Sequence, residues 1–468
     1  MNGIITLKDG SNLIFGDKIY SDFHHESQTG IVIKTKPSGC VEWGRKMPVD
    51  WNWASSVTAA KELQDGTIYL LTTLSGSPLN LTKINPAGNI IWNHSLSNGA
   101  GNYQRFLALE PTPDGGVVTI SSPYAFTSFN VTRFDINGLI VWQRHYDLNV
   151  LWPSGFKNIL VKDGYVYYSG GVGYDNLNSF GTFISKINLT TGQTVWTKKY
   201  LSNSQPFIIG EMINVDTTIV MNIISGSGNN LRPTVGGVMQ IDTSGNVITA
   251  SIISEIYTPN PIEGPFGAGV SHITLSGKNY YIITAGAYPL SLQGEGRSSK
   301  QIRLDSTFQV KWVNSIGGVG QARYYFNAPG PKDGSIVGGL EFSPTIATYS
   351  YGTMLSVVPV DSSGGNPNAN CYFGTQNWEV FSPVITSSPV QWSLDEAATN
   401  IIESTTIPWE NYFPEMRYKC PDYIDSCSYI KVTGPASVCN ISRLILIRVI
   451  RIIHVDNRLI GLSYQECK

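Results

Sequence analysis

A sixteen-residue phrase, VTRFDINGLIVWQRHY from Val131 to Tyr146, constrains this chain more than any other feature. It returns as LTKINPAGNIIWNHSL (Leu81–Leu96) and ISKINLTTGQTVWTKKY (Ile184–Tyr200), and in more worn form from Val32, Val238 and Gln301. Trp43, Trp92, Trp142 and Trp196 lie 49, 50 and 54 residues apart; Thr249 stands where the next Trp is due, and Trp312 restores it. A repeat of about 40–50 residues points to a propeller or a repeat array.

A second signal runs in phase with the first. Asp9-Gly10, Asp65-Gly66, Asp114-Gly115, Asp163-Gly164 and Asp333-Gly334 each precede a short β-rich run, and Asp216-Thr217 and Gly277-Lys278 fill the same slot in two units. Asp-Gly between alternating apolar runs is the strongest local hairpin signal. Each unit therefore reads as strand A, an Asp-Gly turn, strand B, a longer loop, strand C, a Gly turn and strand D. In the last turn Gly39, Gly88, Gly138, Gly192 and Gly245 sit four residues before the Trp position, where a bulged hairpin needs positive φ. The period of two puts Ile90 with Trp92, and Ile140 with Trp142, on one face of strand D, which is expected to pack on the next unit. The polar exits that follow (Asn93-His94, Gln143-Arg144-His145, Lys198-Lys199) suit an outermost edge. The predicted fold is all-β: a seven-bladed β-propeller of four-stranded blades over residues 1–375, its last unit closing with Met354–Asp361. A closing strand or linker follows over 376–419, with one strand suggested within Ser382–Trp392, and then a small Cys-containing segment over 420–468.

Charged residues make up only 14% of the chain and the net charge is −2, against roughly 25% charged residues in ordinary globular proteins. That excludes an electrostatic case for nucleic acid or an anionic membrane. Leu444–Val455 (LILIRVIRIIHV) is too short and too charged to span a bilayer, which needs about 20 apolar residues. Cys420, Cys427 and Cys439 cluster late in the chain and are disulfide candidates, implying an oxidising compartment; the rival is a zinc site, although the spacing fits no common zinc pattern. No secretory leader is visible at Met1, and the expectation is that the chain lacks its original start.

The search for chemistry finds little. His24-His25-Glu26 lies in a loop and reads as solvated rather than metal-binding. No H-E-x-x-H, P-loop or complete G-x-G-x-x-G occurs; His94-Ser95 and Ser271-His272 are adjacent in sequence, which does not make a triad. Trp51, Trp53, Tyr103 and Trp152 fall in the connections between units and would share one rim with the B–C loops, as candidates to stack on a ligand or to wedge between blades. Lys34, Lys83, Arg133, Lys186 and Arg303 recur before the C–D turn, where pairing with a turn carboxylate or covering a blade face explains their regularity. No catalytic residue, metal or cofactor is assigned.

Asn188–Trp196 (NLTTGQTVW) resembles the Trp-docking motif of quinoprotein dehydrogenases, but the vicinal cysteines of that family have no counterpart here, so the likeness implies the fold alone. Asp135–Tyr146 (DINGLIVWQRHY) resembles the repeat blades of large secreted Bacteroidota surface proteins, and SYIKVTGPASVCNIS (Ser428–Ser442) looks like the opening of an Ig-like or PKD-like module with an irregular tail. That resemblance implies type IX secretion and a secreted or cell-surface location. The resulting expectation is a non-enzymatic, monomeric adhesion or binding propeller recognising a glycan or a protein at one rim. The alternative is a propeller enzyme (hydrolase, lyase or quinone-type) whose active site lies at the top-face channel.

Overall fold

A computed structural model describes the strands and short turns between residues 3 and 465. Most of the residues joining the second strand of a sheet to its third, or one sheet to the next, lie outside the described set, as do 1–2, 38–39, 365–372, 419–429, 433–448 and 466–468. The described residues are all-β and every pairing is antiparallel. Sheet 1 holds β1 (Gly3–Thr6), β2 (Asn12–Ser21), β3 (Glu26–Thr35) and β4 (Val41–Lys46); sheet 2 holds β5 (Ser55–Glu62), β6 (Ile68–Leu74), β7 (Leu79–Ile84) and β8 (Ile90–Ser97). Sheet 3 holds β9 (Gln104–Pro111), β10 (Val117–Pro123), β11 (Ser128–Phe134) and β12 (Ile140–Asp147); sheet 4 holds β13 (Asn158–Lys162), β14 (Tyr165–Val172), β15 (Gly181–Asn188) and β16 (Thr194–Ser202). Sheet 5 holds β17 (Phe207–Val215), β18 (Thr218–Ser225), β19 (Thr234–Ile241) and β20 (Val247–Glu255); sheet 6 holds β21 (Ser271–Ser276), β22 (Tyr280–Gly286), β23 (Ser299–Asp305) and β24 (Val310–Ile316). Sheet 7 holds β25 (Gln321–Pro329), β26 (Ser335–Phe342) and β27 (Thr353–Val360).

The sheets follow one another as the blades of a β-propeller do. The first strand of each lies against the first strand of the next, from β1 through β25, and β25 lies against β1 as well as β21. Hydrophobic clusters fill the spaces between sheets, such as Trp142 with Val166 and Phe183 between sheets 3 and 4. Between the last sheet and the first, Ala328 and Ile336 pack with Ile4, Ile14, Ile31 and Ile33, and the Thr6 hydroxyl donates to the Pro329 carbonyl at 2.7 Å.

Consecutive sheets are joined by the repeated Trp and Gly. A Cβ added to Gly192 would meet the Trp142 ring at 2.8 Å, and one added to Gly88 would meet Trp43 at 2.9 Å. Both glycines also hold positive φ, at 70° and 77°. The Trp of one sheet thus packs on the turn that follows the third strand of the next, and Trp92 meets Gly138, Trp196 meets Gly245 and Trp312 meets Gly364 in the same way. The indole N–H of Trp43, Trp92, Trp142 and Trp312 donates to a carbonyl of that turn, at 2.9, 3.2, 2.8 and 3.2 Å. Gly39, the first-sheet member of the series, lies outside the described residues. A buried aromatic removes about 150–250 Å² from water, roughly 4–6 kcal/mol at about 25 cal/mol per Å², so this contact outweighs any single hydrogen bond across the gap.

The exception explains itself. Sheet 5 carries Thr249 opposite Gln240, where other sheets place Trp, and the sheet 6 turn it faces has Phe308 where the others have Gly. Phe308 keeps the turn's left-handed backbone, with φ of 62°, and is 4% exposed. Its ring packs on Tyr281 at 5.1 Å, within the cluster that includes Ile253 of sheet 5. The aromatic ring has moved to the other side of the same gap. The recurring cations also serve the joints. Arg133 bonds Asp114 of its own sheet and the Leu189 carbonyl of the next, Lys186 donates to the Thr243 carbonyl of the next sheet at 3.1 Å, and Lys34 pairs with Asp9 within its own sheet at 2.8 Å.

Residues 373–411 form a belt rather than a single strand. β28 (Phe373–Thr375), β29 (Trp378–Phe381), β30 (Ile385–Pro389), β31 (Ser393–Glu396), β32 (Ile401–Ser404) and β33 (Glu410–Asn411) add a fifth strand to sheets 6, 5, 4, 3, 2 and 1 in that order. Each pairs with the exit half of the sheet's fourth strand, as Ile401–Ser404 does with His94–Ser97. The polar exits that the sequence suggests as free edges are therefore paired, and the belt itself faces solvent, with Val384 at 61% exposure. Beyond it β34 (Met416–Tyr418) pairs with β35 (Ile430–Val432), and β36 (Val449–Val455) with β37 (Arg458–Gln465).

The Thr249–Phe308 exchange makes a direct test. Thr249→Trp alone is expected to destabilise by about 1–3 kcal/mol through overpacking, and Phe308→Gly alone by about 3–5 kcal/mol through the cavity it leaves. The double variant rebuilds the contact seen elsewhere and is expected to cost clearly less than the sum, read by denaturant midpoints in a double-mutant cycle. Strict additivity would contradict the exchange.

Candidate functional site

One charged pair joins the first strands of two neighbouring sheets. Lys61, near the end of β5 in sheet 2, places Nζ 3.0 Å from Glu110 Oε2, near the end of β9 in sheet 3. Glu211 on β17 belongs to sheet 5, three sheets from Lys61 in chain order, yet its charge acts on both Lys61 and Glu110.

Local irregularities aim these side chains. The β17–β18 register jumps from Ile209↔Ile223 to Met212↔Met221, leaving Gly210 and Glu211 in a bulge opposite Asn222. Asn222 Oδ1 accepts the Glu211 N–H at 2.6 Å, and the Asn158 amide of sheet 4 donates to the Gly210 carbonyl. The register shifts likewise between Val57 and Ala59 in β5, and at Ile120/Ser121 of β10 opposite β9. Such bulges bend a strand and re-aim a side chain.

Burial raises the Glu110 carboxyl above its ordinary value of 4.5; the neighbouring Lys61 opposes the shift and the Glu211 carboxylate adds to it. Glu110 raises Lys61 in turn, against burial and with help from Glu211. Glu110 thus pairs with Lys61, and its carboxyl holds its proton more tightly than a free glutamate. That arrangement suits general acid–base chemistry or the binding of a hydroxyl-rich ligand. Other perturbed groups have structural causes. Burial tends to raise Asp9, but hydrogen bonds from Lys34 and Ser11 bring it to about 2, and burial raises the core hydroxyl of Tyr168.

The cluster comes from residues the sequence does not single out. The predicted rim aromatics Trp51, Trp53, Tyr103 and Trp152 lie outside the described residues, as do His24, His25, Cys420, Cys427 and Cys439. Cys40, before β4, is disulfide-bonded, with its partner outside the described set. Among the described residues no group of three or more His, Cys, Asp or Glu is placed to hold a metal ion, and no helix is long and apolar enough to cross a membrane.

No family model matches the chain. No curated protein matches its sequence either. Its structure is similar to a GH43 beta-1,3-galactosidase solved with galactodeoxynojirimycin, at 10% identity and a TM-score of 0.32, covering 53% of this chain and 93% of the other. It is also similar to the Glu150Gln mutant of the Synechocystis apocarotenoid oxygenase, at 12% identity and a TM-score of 0.44, covering 86% and 94% of the two chains. The Trp149Ala mutant of that oxygenase gives 11% identity and a TM-score of 0.43, covering 85% and 94%. Likenesses at this level assign this chain neither a family nor an activity.

The Glu110 carboxyl, followed by ¹³C-carboxyl NMR against pH, is expected to titrate above 4.5. Glu211→Gln should lower that midpoint and Lys61→Met should raise it. A midpoint in the ordinary range that neither substitution moves would contradict the coupling.

Proposed function

We propose that the seven sheets close into one seven-bladed propeller and that its interior is the working site, an acid–base centre of hydrolase or lyase type. Closure is supported by the apolar packing of Ala328 and Ile336 on sheet 1 and by the Thr6–Pro329 hydrogen bond. The observation that carries the activity is the 3.0 Å Lys61–Glu110 pair joining the first strands of two sheets, where burial raises the Glu110 carboxyl. In this reading Glu110 donates a proton to a leaving group, Glu211 serves as the base or stabilises positive charge, and Lys61 compensates developing negative charge. A small, hydroxyl-rich substrate of carbohydrate type fits such a set of hydrogen-bonding groups.

A second reading keeps the ligand and removes the turnover: a secreted or cell-surface propeller that binds a glycan. The 3.0 Å Lys61–Glu110 pair favours it, because each charge is satisfied at rest, and the Cys40 disulfide is in keeping with an oxidising location.

One experiment separates them. The purified chain is incubated with a panel of glycosides and polyuronides, reading both reducing-end release or unsaturated product and equilibrium binding. The enzymatic reading predicts product that falls by about 10²-fold or more in Glu110→Gln, the scale of general acid–base catalysis. Saturable binding without product supports the lectin-like reading, provided Glu110→Gln weakens it. Neither product nor binding, or effects indifferent to Glu110 and Glu211, would overturn the assignment of the interior.

A further inference from the structure

Among the described residues, apolar clusters join sheets 1 and 2, 2 and 3, 3 and 4, 4 and 5, 5 and 6, and 7 and 1. The space between sheets 6 and 7 is different. In every other sheet with a matching register, the third-strand residue two before the partner of the Trp position is a buried aliphatic: Val32, Leu81, Val131, Ile184 and Val238. In sheet 6 that residue is Gln301, fully buried. Asn327 in β25 is a second departure, since the matching positions of β1, β5 and β9 hold Ile4, Ala60 and Leu109.

These side chains meet across the gap. Gln301 faces sheet 7 and donates from Nε2 to Ser335 Oγ at 2.9 Å; Asn327 donates from Nδ2 to the Ile282 carbonyl of sheet 6 at 3.0 Å. Thr284 is the cross-strand partner of Gln301. Gln301 Oε1, Asn327 Oδ1 and Thr284 Oγ1 remain buried with no hydrogen-bond partner among the described residues. Thr284 and Gln301 are 0% exposed and Asn327 is 7% exposed. Buried polar groups left unmatched are costly, and here Gln301 and Asn327 stand where the fold elsewhere places aliphatic side chains.

We propose that Thr284, Gln301, Asn327 and Ser335 form a site for one desolvated monovalent cation, of the Na⁺ or K⁺ class, between sheets 6 and 7. The oxygens are hard and neutral, and among the described residues no carboxylate accompanies them, which disfavours Ca²⁺ or Mg²⁺. A single water that donates to the two carboxamide oxygens and accepts from the Thr284 hydroxyl is the competing occupant, and the test below separates the two. The site is independent of the interior cluster, and its failure would leave that reading untouched.

The test is thermal unfolding of the full chain at constant ionic strength in NaCl, KCl or choline chloride. The proposal predicts an upward Tm shift with Na⁺ or K⁺ that saturates with concentration, on the order of 2 °C. Gln301→Val, which installs the residue that sheet 5 has at Val238, should abolish the shift while staying at least as stable as the parent chain in choline. If that variant does not fold, Thr284→Val carries the same comparison. Equal Tm in all three chlorides, as a pocket filled by water would give, overturns the proposal. So does a cation effect that survives both substitutions.

Discussion

An indole ring lying on a glycine turn is the contact on which the rest of this architecture depends. A four-stranded antiparallel sheet cannot bury both of its faces alone, and the repeat solves this by making each sheet the cover of its neighbour. The ring needs a bare backbone beneath it, and the turn needs positive φ; glycine meets both demands at Gly88, Gly138, Gly192, Gly245 and Gly364. Phe308 shows that the ring can be contributed from either side of the gap. Where Thr249 leaves the gap short, the turn residue accepts an unfavourable backbone to supply the missing volume.

The belt answers a different problem. Fourth strands with unpaired outer edges are templates for aggregation, and residues 373–411 pair with the exit half of that strand in six of the sheets. Backbone hydrogen bonds hold most of this segment, with anchoring from Lys46–Glu410 at 2.8 Å, from Trp409 against the core between sheets 1 and 2, and from the Tyr412 N–H on the Gly44 carbonyl at 2.9 Å. Because the belt runs from sheet 6 back to sheet 1, it links blades distant in sequence and ties their stability together.

How much of this could be read from residues alone follows from where the information resides. Trp43, Trp92, Trp142, the Asp-Gly turns and the turn glycines carry their structural duty locally and at a fixed period, so strand order and sheet partners were legible. The recurring cations were legible for the same reason. The belt was not, because strands of two to five residues have too few positions to show a period, and their pairing partners lie up to about 365 residues away, as for Glu410 and Lys46. Lys61, Glu110 and Glu211 share no spacing and carry no motif; bulges that no composition signal announces turn them toward one another. The available signal was negative: each is a charge inside a strand whose neighbours are buried, in a chain with few charges.

The account rests on closure, since an interior exists only if the last sheet covers the first. Hydrogen exchange of the intact chain, read by mass spectrometry strand by strand, tests this most directly. With the ring closed, β1 and β25 lie between neighbours like any other first strands, and their amides should be protected to the same degree as those of β5, β9, β13 and β17. If β1 and β25 exchange orders of magnitude faster than the other four, the ring is open and the shared interior is lost with it.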